Sequence, residues 1–379
     1  MNRRERLLAT LRGQPVDRPP FCFYELNGLD ERPEVDDPYN IYTHPSWAPL
    51  IELTRQKTDR IVMRSLSFTG APPTPLDERT TIEQWTNEKG SLFTRRTVRA
   101  GKRLLTEITR RDRDVNTIWT VEHLFKDTAD LQAFLEIPPQ EYIGEPEVSA
   151  VLEAEQMLGD TGIVMLDTPD PLCEAAQLFD MANYTVIAFH EPVLFTRLLD
   201  WFAGPLYRKI EALAECLPGH LWRIYGPEYA SPPYLPPRLF RAYVVAYDTP
   251  IVYTIQRFGG YARIHSHGRL KLILDDIIST GCDALDPIEP PPQGDVSLAY
   301  VRQRYGEQLV LFGNLEASDI ETLPPARFRE KVRTALREGT SGSGRGFVLM
   351  PSACPYGRVL SPRALENYRV IVEEVENFS

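Results

Sequence analysis

Residues 261–316 read YARIHSHGRLKLILDDIISTGCDALDPIEPPPQGDVSLAYVRQRYGEQLVLFGNLE. Three short apolar runs, at 261–264, 284–286 and 309–312, are separated by helical stretches at 269–279 and 295–305. Short apolar runs bounded by Gly, Pro and charged residues read as buried strands. Strands that alternate with helices imply a parallel sheet.

The rhythm extends in both directions. Upstream lie runs at 163–166 and 221–225, each followed by helical stretches, 172–216 and 237–257. Downstream come a helix at 325–338, a run at 347–350 and a last helix at 362–376. Two further runs, 21–24 and 60–68, bring the number to eight. Eight strand–helix units in one chain predict an α/β fold, a (β/α)8 TIM barrel that occupies residues 1–379 as a single domain. A doubly wound open sheet would offer a Gly-rich loop after its first strand, and none appears. An amphipathic helix over 2–12, with Leu7, Leu8 and Leu11 on one face and Gly13 as its stop, adds an N-terminal helical extension. Residues 92–100 and 103–111 alternate around Gly101-Lys102, which predicts a β-hairpin insertion at 90–112 with a solvated Arg- and Thr-rich face.

Composition narrows the function. Lys and Arg number 42 against 53 Asp and Glu, a balance of −11. That charge argues against nucleic acid and against an anionic membrane surface as partners. No run approaches the roughly 18 apolar residues of a membrane span. The opening MNRRERLLATLR has neither the apolar core nor the cleavage site of a signal peptide. Five scattered Cys, an odd number, do not form a secreted disulfide framework, so a reduced cytoplasm is the expected compartment. The 33 prolines fall between the periodic segments and punctuate loops.

In a barrel, chemistry collects where the strands end. These ends carry Glu25, Asp167, Glu228, the stretch His265-Ser266-His267-Gly268, Asp286 with Glu289, Asn314 with Glu316, and Cys354. Only six His occur in the chain, so two within three residues is a local excess. Period-two geometry points both imidazoles the same way. Two imidazoles and one thiolate make a three-ligand zinc site with an open fourth position, and Cys354, after the last strand, faces strand five across a closed mouth. The plainer alternative has both His as hydrogen-bonding loop residues and Cys354 as a small buried hydrophobe. Glu289 is a fourth ligand or proton shuttle, or else a solvated acid on a rigid loop. Asp295 reads as the N-cap of the helix that follows it. Gly313-Asn314 reads as a tight turn with positive φ. Tyr229, Tyr234 and Phe258 line a substrate pocket or serve as packing.

The opening Arg3-Arg4-Glu5-Arg6 and the stretch PVDRPP at 15–20 resemble the start of uroporphyrinogen decarboxylase family proteins. HSHG at 265–268, GCDALDPIEPPPQGD at 281–295 and GNLEASDIETLPP at 313–325 resemble the family's second half. The resemblance implies a (β/α)8 barrel and one of two chemistries. One is metal-free decarboxylation of a porphyrinogen. The other is zinc-dependent methyl transfer to or from a corrinoid protein. The decarboxylases carry an arginine-rich RQAGR segment near the N-terminus, where this chain has FCFYELNGLDERP. They also carry Gly-His-Gly after the last strand, where this chain has PSACPYG with Cys354 in the histidine's place. The zinc methyltransferases have His-x-Cys-Gly at strand five and a distant Cys after strand eight. His265, Gly268 and Cys354 match that pattern, and His267 departs from it. Imidazole in place of thiolate makes a stronger Lewis acid, which suits an ether oxygen more than a thiol.

The expected function is therefore a zinc-dependent methyltransferase acting with a corrinoid protein on a small O-methyl or N-methyl substrate or a thiol acceptor. Zinc would be held by His265, His267 and Cys354, with Glu228, Glu289 and Asp167 as the catalytic carboxylates. The chain has no D-x-H-x-x-G stretch, so the corrinoid would sit on a separate partner. A decarboxylase of porphyrin biosynthesis is the alternative, and a non-catalytic barrel is a third reading. A homodimer is left open.

Overall fold

The computed structural model describes residues 1–378. Seven parallel strands form one curled sheet in the order Arg60–Ser65, Gly162–Pro169, Leu221–Tyr225, Tyr261–His265, Ala284–Asp286, Val310–Leu315 and Phe347–Pro351. Each strand pairs with the next in the chain, as right-handed crossovers through outer helices dictate. The gap between the first and last strands is filled by residues 20–23. Cys22 N donates to Leu349 O (3.1 Å) and Leu349 N to Pro20 O (2.9 Å) on one side. On the other side Asp59 N donates to Phe21 O (2.8 Å). The eight apolar runs thus appear as eight neighbouring staves.

Alternation along the staves builds two cores. Cys22, Ile61, Met165, Leu221, Ala284, Val310, Phe312 and Val348 fill the barrel interior. The residues between them, such as Val62, Val164, Trp222, Ile264 and Leu311, face the helix layer. The helix Arg3–Leu11 adds Leu7 and Leu11 to the interior cluster, and Arg3 and Arg4 bond carbonyls at Thr58 and Gly162. It therefore closes the end at which the strands begin. Arg6 and Arg18 converge on the fully buried Asp59 at 2.6 and 2.7 Å, and Asp59 also accepts from Phe21 N. The arginines of the opening motif thus fasten residues 20–23 to the strand beside them.

Several local expectations change. The 92–111 hairpin is the centre of a four-stranded antiparallel sheet, Thr80–Thr86, Leu92–Ala100, Arg103–Arg111 and Ile118–Glu122. Its arginines make cross-strand pairs, Arg95 with Glu83 and Arg96 with Glu107. The expected 172–216 helix is three, broken where Asp180 caps Met181–His190 and where Pro192 opens Pro192–Cys216. The helix expected from 295 is Leu298–Tyr305, capped by Ser297. Asp295 instead accepts from Lys271 N (2.9 Å), so its job is to tie two loops. Among the described residues no helix is long and apolar enough to cross a membrane.

Gly313 lies inside the seventh stave, not in a turn, with φ +142°. A Cβ there would stand 2.0 Å from Pro287 O, so the stave touches the loop after its neighbour. Gly313→Ala is expected to destabilise the fold by roughly 1–3 kcal/mol through overpacking on backbone that cannot yield. Urea denaturation checks this, and a loss within error of zero would refute the close approach.

Candidate functional site

The inward positions turn polar toward the ends of the staves. His265 and Asp286 are register partners on adjacent strands, so their side chains meet. His265 Nδ1 bonds Asp286 Oδ2 at 2.8 Å. Arg263, two residues earlier on the same face, reaches Asp286 Oδ1 with Nε at 3.0 Å, an ion pair without hydrogen-bond alignment. Asp286 is fully buried. Burial alone would raise its carboxyl, but the Arg263 charge and the His265 bond outweigh that and hold it at about 2.

His267 stands beside His265, with ring centroids 4.6 Å apart and planes at 87°. Its Nδ1 bonds Glu289 Oε1 at 2.8 Å, and Glu289 Oε2 accepts from Gly268 N at 2.8 Å. Glu289 therefore orients an imidazole and closes the HSHG turn. Burial would lower the His267 pKa, yet the hydrogen bond and charge of Glu289, helped by Glu228, leave it raised. Glu289 is correspondingly lowered, its burial outweighed by His267.

The sign of the linkage follows. A raised His pKa contributes stability that is complete below the unfolded value and is lost as pH rises through the folded value. The metal-free protein is expected to lose stability as pH rises past His267's raised pKa, and His267→Gln to flatten that slope. Denaturation midpoints across pH 5–9 check this, and equal slopes in the two proteins would sink it.

The trio expected as zinc ligands is half assembled. His265 and His267 come together, but Cys354 does not join them. Its sulfur lies 3.5 Å from Phe23 O, and burial pushes the thiol well above its usual pKa. Among the described residues no three His, Cys, Asp or Glu side chains converge in a metal-holding group. The thiol nonetheless sits at the same mouth, because the Phe23 carbonyl it touches precedes Tyr24, whose ring centroid is 6.2 Å from that of His265. The imidazole pair fits a metal in one specific respect. Each ring has its Nδ1 on a carboxylate, the arrangement that orients metal-binding histidines and leaves Nε2 free to coordinate. Glu289, expected as a fourth ligand, is instead such an orienting partner.

Asp167 also changes role. Both its oxygens hold Arg223, at 2.6 and 2.9 Å, and Arg223 Nη1 donates to Tyr24 OH at 2.6 Å. It positions a buried guanidinium. Glu228 is half-buried in the turn Pro227–Ala230 and accepts from Gly226 N at 3.0 Å. Phe258 lies at the opposite end of the barrel, before the fifth stave begins, so it does not line the mouth, and Tyr234 is exposed in the loop after the fourth stave. Tyr229 packs against the core.

Sequence reasoning singled out neither Arg223 nor Arg263, and took Glu316 only as a stave end. The arginines sit at strand positions 223 and 263 in phase with Asp167 and His265, and that phase was the available signal. Glu316 is nearly buried, its Oε1 lacks a hydrogen-bond partner, and burial followed by the charge of Glu289 raises it to about 7. It lines a cavity of about 650 Å³, which lies outside the barrel against helix Pro325–Gly339. A second cavity of about 440 Å³ lies at the mouth between Glu25, Glu31, Tyr42, Met63 and Arg111 of the inserted sheet.

Comparison with known proteins agrees with this architecture. A family model described as Uroporphyrinogen decarboxylase (URO-D) matches residues 146–378. No curated protein sequence matches the chain. Among solved structures, a methyltransferase from Methanosarcina mazei superposes with a TM-score of 0.60 at 17% identity, covering 100% of this chain and 99% of that one. That likeness speaks to the fold. A D-psicose 3-epimerase solved in the presence of D-fructose gives a TM-score of 0.32 at 11% identity, covering 61% of this chain and 81% of that one, too remote to bear on the site.

Proposed function

The chain belongs to the uroporphyrinogen decarboxylase family, and from that premise we propose that it is a zinc-dependent methyltransferase working with a separate corrinoid-carrying protein. The observation that carries the reading is the paired carboxylate–imidazole arrangement, Asp286–His265 and Glu289–His267, with both Nε2 atoms left free. The full-length likeness to a methyltransferase supports the same branch. Zinc would be held by His265 and His267, with Cys354 as the third ligand once its sulfur leaves Phe23 O. Bound there, zinc would act as a Lewis acid on the heteroatom of a small O-methyl or N-methyl compound, or on an acceptor thiol.

The protein's own groups have definite tasks. Asp286 and Glu289 fix the two imidazoles by accepting hydrogen bonds from their Nδ1–H groups. Asp167 holds Arg223 against Tyr24 and so shapes the mouth. Glu228, whose charge acts on His267 and which is in no ion pair among the described residues, is assigned the proton at the leaving or attacking group. Decarboxylation of a polyanionic porphyrinogen is disfavoured, because the two buried arginines of the mouth are already committed to Asp167 and Asp286.

The test is metal analysis of the purified chain combined with a spectroscopic assay on free cobalamin. About one zinc per chain is expected, with methylation of cob(I)alamin by a methoxy or methylamino compound, or demethylation of methylcobalamin by a thiol. Zinc-free protein that leaves both cobalamin forms unchanged, yet releases CO2 from a porphyrinogen, would overturn the proposal.

A further inference from the structure

The mouth cavity of about 440 Å³ carries an uneven charge. Its walls include four carboxylates, Glu25, Asp30, Glu31 and Asp37, and two guanidinium groups, Arg32 and Arg111. Two of the acids are already matched. Arg64 holds Asp30 at 3.0 Å, and Arg111, laid over the Tyr39 ring, stands 3.7 Å from Asp37. Glu25 and Glu31 are left. Arg223 comes within 3.7 Å of Glu25, but its Nε and Nη2 are committed to Asp167. Arg32 is exposed, where solvent and salt screen its charge.

Glu31 is the unusual member. It is only 2% exposed. Its Oε1 accepts from Asn27 N (2.7 Å) and Gly28 N (3.1 Å), which closes the loop after the first stave. Its Oε2 is buried and takes no hydrogen bond from any described residue. A buried carboxylate oxygen costs free energy unless a group donates to it, so Oε2 holds acceptor capacity that the protein itself does not use. Burial, with the charge of Asp30 beside it, pushes the carboxyl above its usual range. The cavity also adjoins the proposed metal site. The charges of Glu25 and Glu31 both act on the Cys354 thiol and on the Tyr42 hydroxyl.

We propose that this cavity receives the substrate, and that the substrate is an organic cation bearing N–H donors, an ammonium or amidinium group separate from its transferable methyl. The assignment takes from the proposed function only that a methyl group is transferred at the neighbouring metal. An N–H of the cation donates to Glu31 Oε2, and Glu25 sets a second negative charge against it, a charge-assisted contact. Tyr42 and Met63 supply the apolar wall for the rest of the molecule. A quaternary ammonium would leave Oε2 without a donor. A carboxylate or phosphate would face two acids, so the cavity selects against anions as well as for cations.

Calorimetric titration of the full chain near neutral pH tests this with three methoxy compounds of one shape and different charge: 4-methoxybenzylamine, 4-methoxybenzyl alcohol and 4-methoxybenzoate. The protonated amine is expected to bind at least about tenfold more tightly than the alcohol, and the benzoate most weakly. Glu31→Gln and Glu25→Gln should each bring the amine toward the affinity of the alcohol and leave the alcohol unchanged, which separates this site from the general attraction of an acidic protein for cations. Should Glu31→Gln fail to fold, the order in the wild type and the effect of Glu25→Gln, at a side chain 48% exposed, still decide. An amine that binds no more tightly than the alcohol, or a preference that survives in both variants, overturns the proposal. Binding is read without turnover, so the two conclusions fail separately. The expected order in a protein that leaves cobalamin unchanged upholds the cation site and sinks the methyl transfer. Methyl transfer from the alcohol and the amine alike, with equal affinities, does the reverse.

Discussion

Asp286→Ala is expected to cost about 3–5 kcal/mol of stability, the range for stripping one partner from a buried ion pair. The carboxylate is fully buried, and so nearly is Arg263, whose guanidinium lies over the Phe312 ring at 4.7 Å. Without Asp286 that guanidinium keeps its charge in the barrel interior with no counterion, and His265 loses its Nδ1 partner at the same time. Asp286→Asn keeps the volume and removes the charge. It should fall between wild type and Ala, and it remains measurable if the Ala variant does not fold. The pH dependence follows from the direction of the shift. A carboxyl lowered to about 2 contributes stability above its unfolded value, lost as pH falls toward the folded one. The difference between wild type and Asp286→Asn should therefore be full at neutral pH and shrink below about pH 4. Chemical denaturation measures both effects. A loss under about 1 kcal/mol at pH 7 would mean that water already reaches Arg263.

The staves were legible because each is buried on both faces and so appears as an apolar run between loop residues. The first, residues 20–23, is legible as apolar but makes its bonds through Pro20, Phe21 and Cys22 to two different strands, a closure that no local pattern announces. The His265–His267 pair was legible for a related reason, since period two needs only neighbouring residues. What escaped the reading depends on register between strands. Asp286 meets His265 because 265 and 286 are opposite one another, and Arg223 meets Asp167 because both are, and neither pairing is written in either segment alone. Strand-end position made Asp167 and Glu289 candidates for chemistry. Their neighbours made them anchors for a guanidinium and an imidazole. Cys354 shows the limit most plainly: barrel closure brings its loop to the mouth, but a half-buried, neutral thiol settles against a carbonyl, Phe23 O.

Zinc retention should rank these residues by what each one does. His265→Ala and His267→Ala each remove a free Nε2 and are expected to reduce bound zinc to background after dialysis. Glu289→Gln leaves both imidazoles in place and loosens the hold on one of them, so it should weaken zinc affinity by roughly 10–100-fold without abolishing it. The thiol is the discriminating case. Ligation requires the thiolate, whereas burial beside Phe23 favours the neutral thiol, so a metal must displace that proton and draw the sulfur from the carbonyl. Zinc uptake by the wild type should then release a proton that Cys354→Ser does not release. The serine variant should also lose zinc as sharply as the histidine variants, with the fold intact because the staves pack elsewhere. Metal content and proton release on titration with zinc read the two quantities separately. A serine variant that keeps one zinc per chain and releases as many protons as the wild type would leave Cys354 as packing against Phe23. A third donor, with Glu228 a carboxylate that acts on His267, would then have to complete the site.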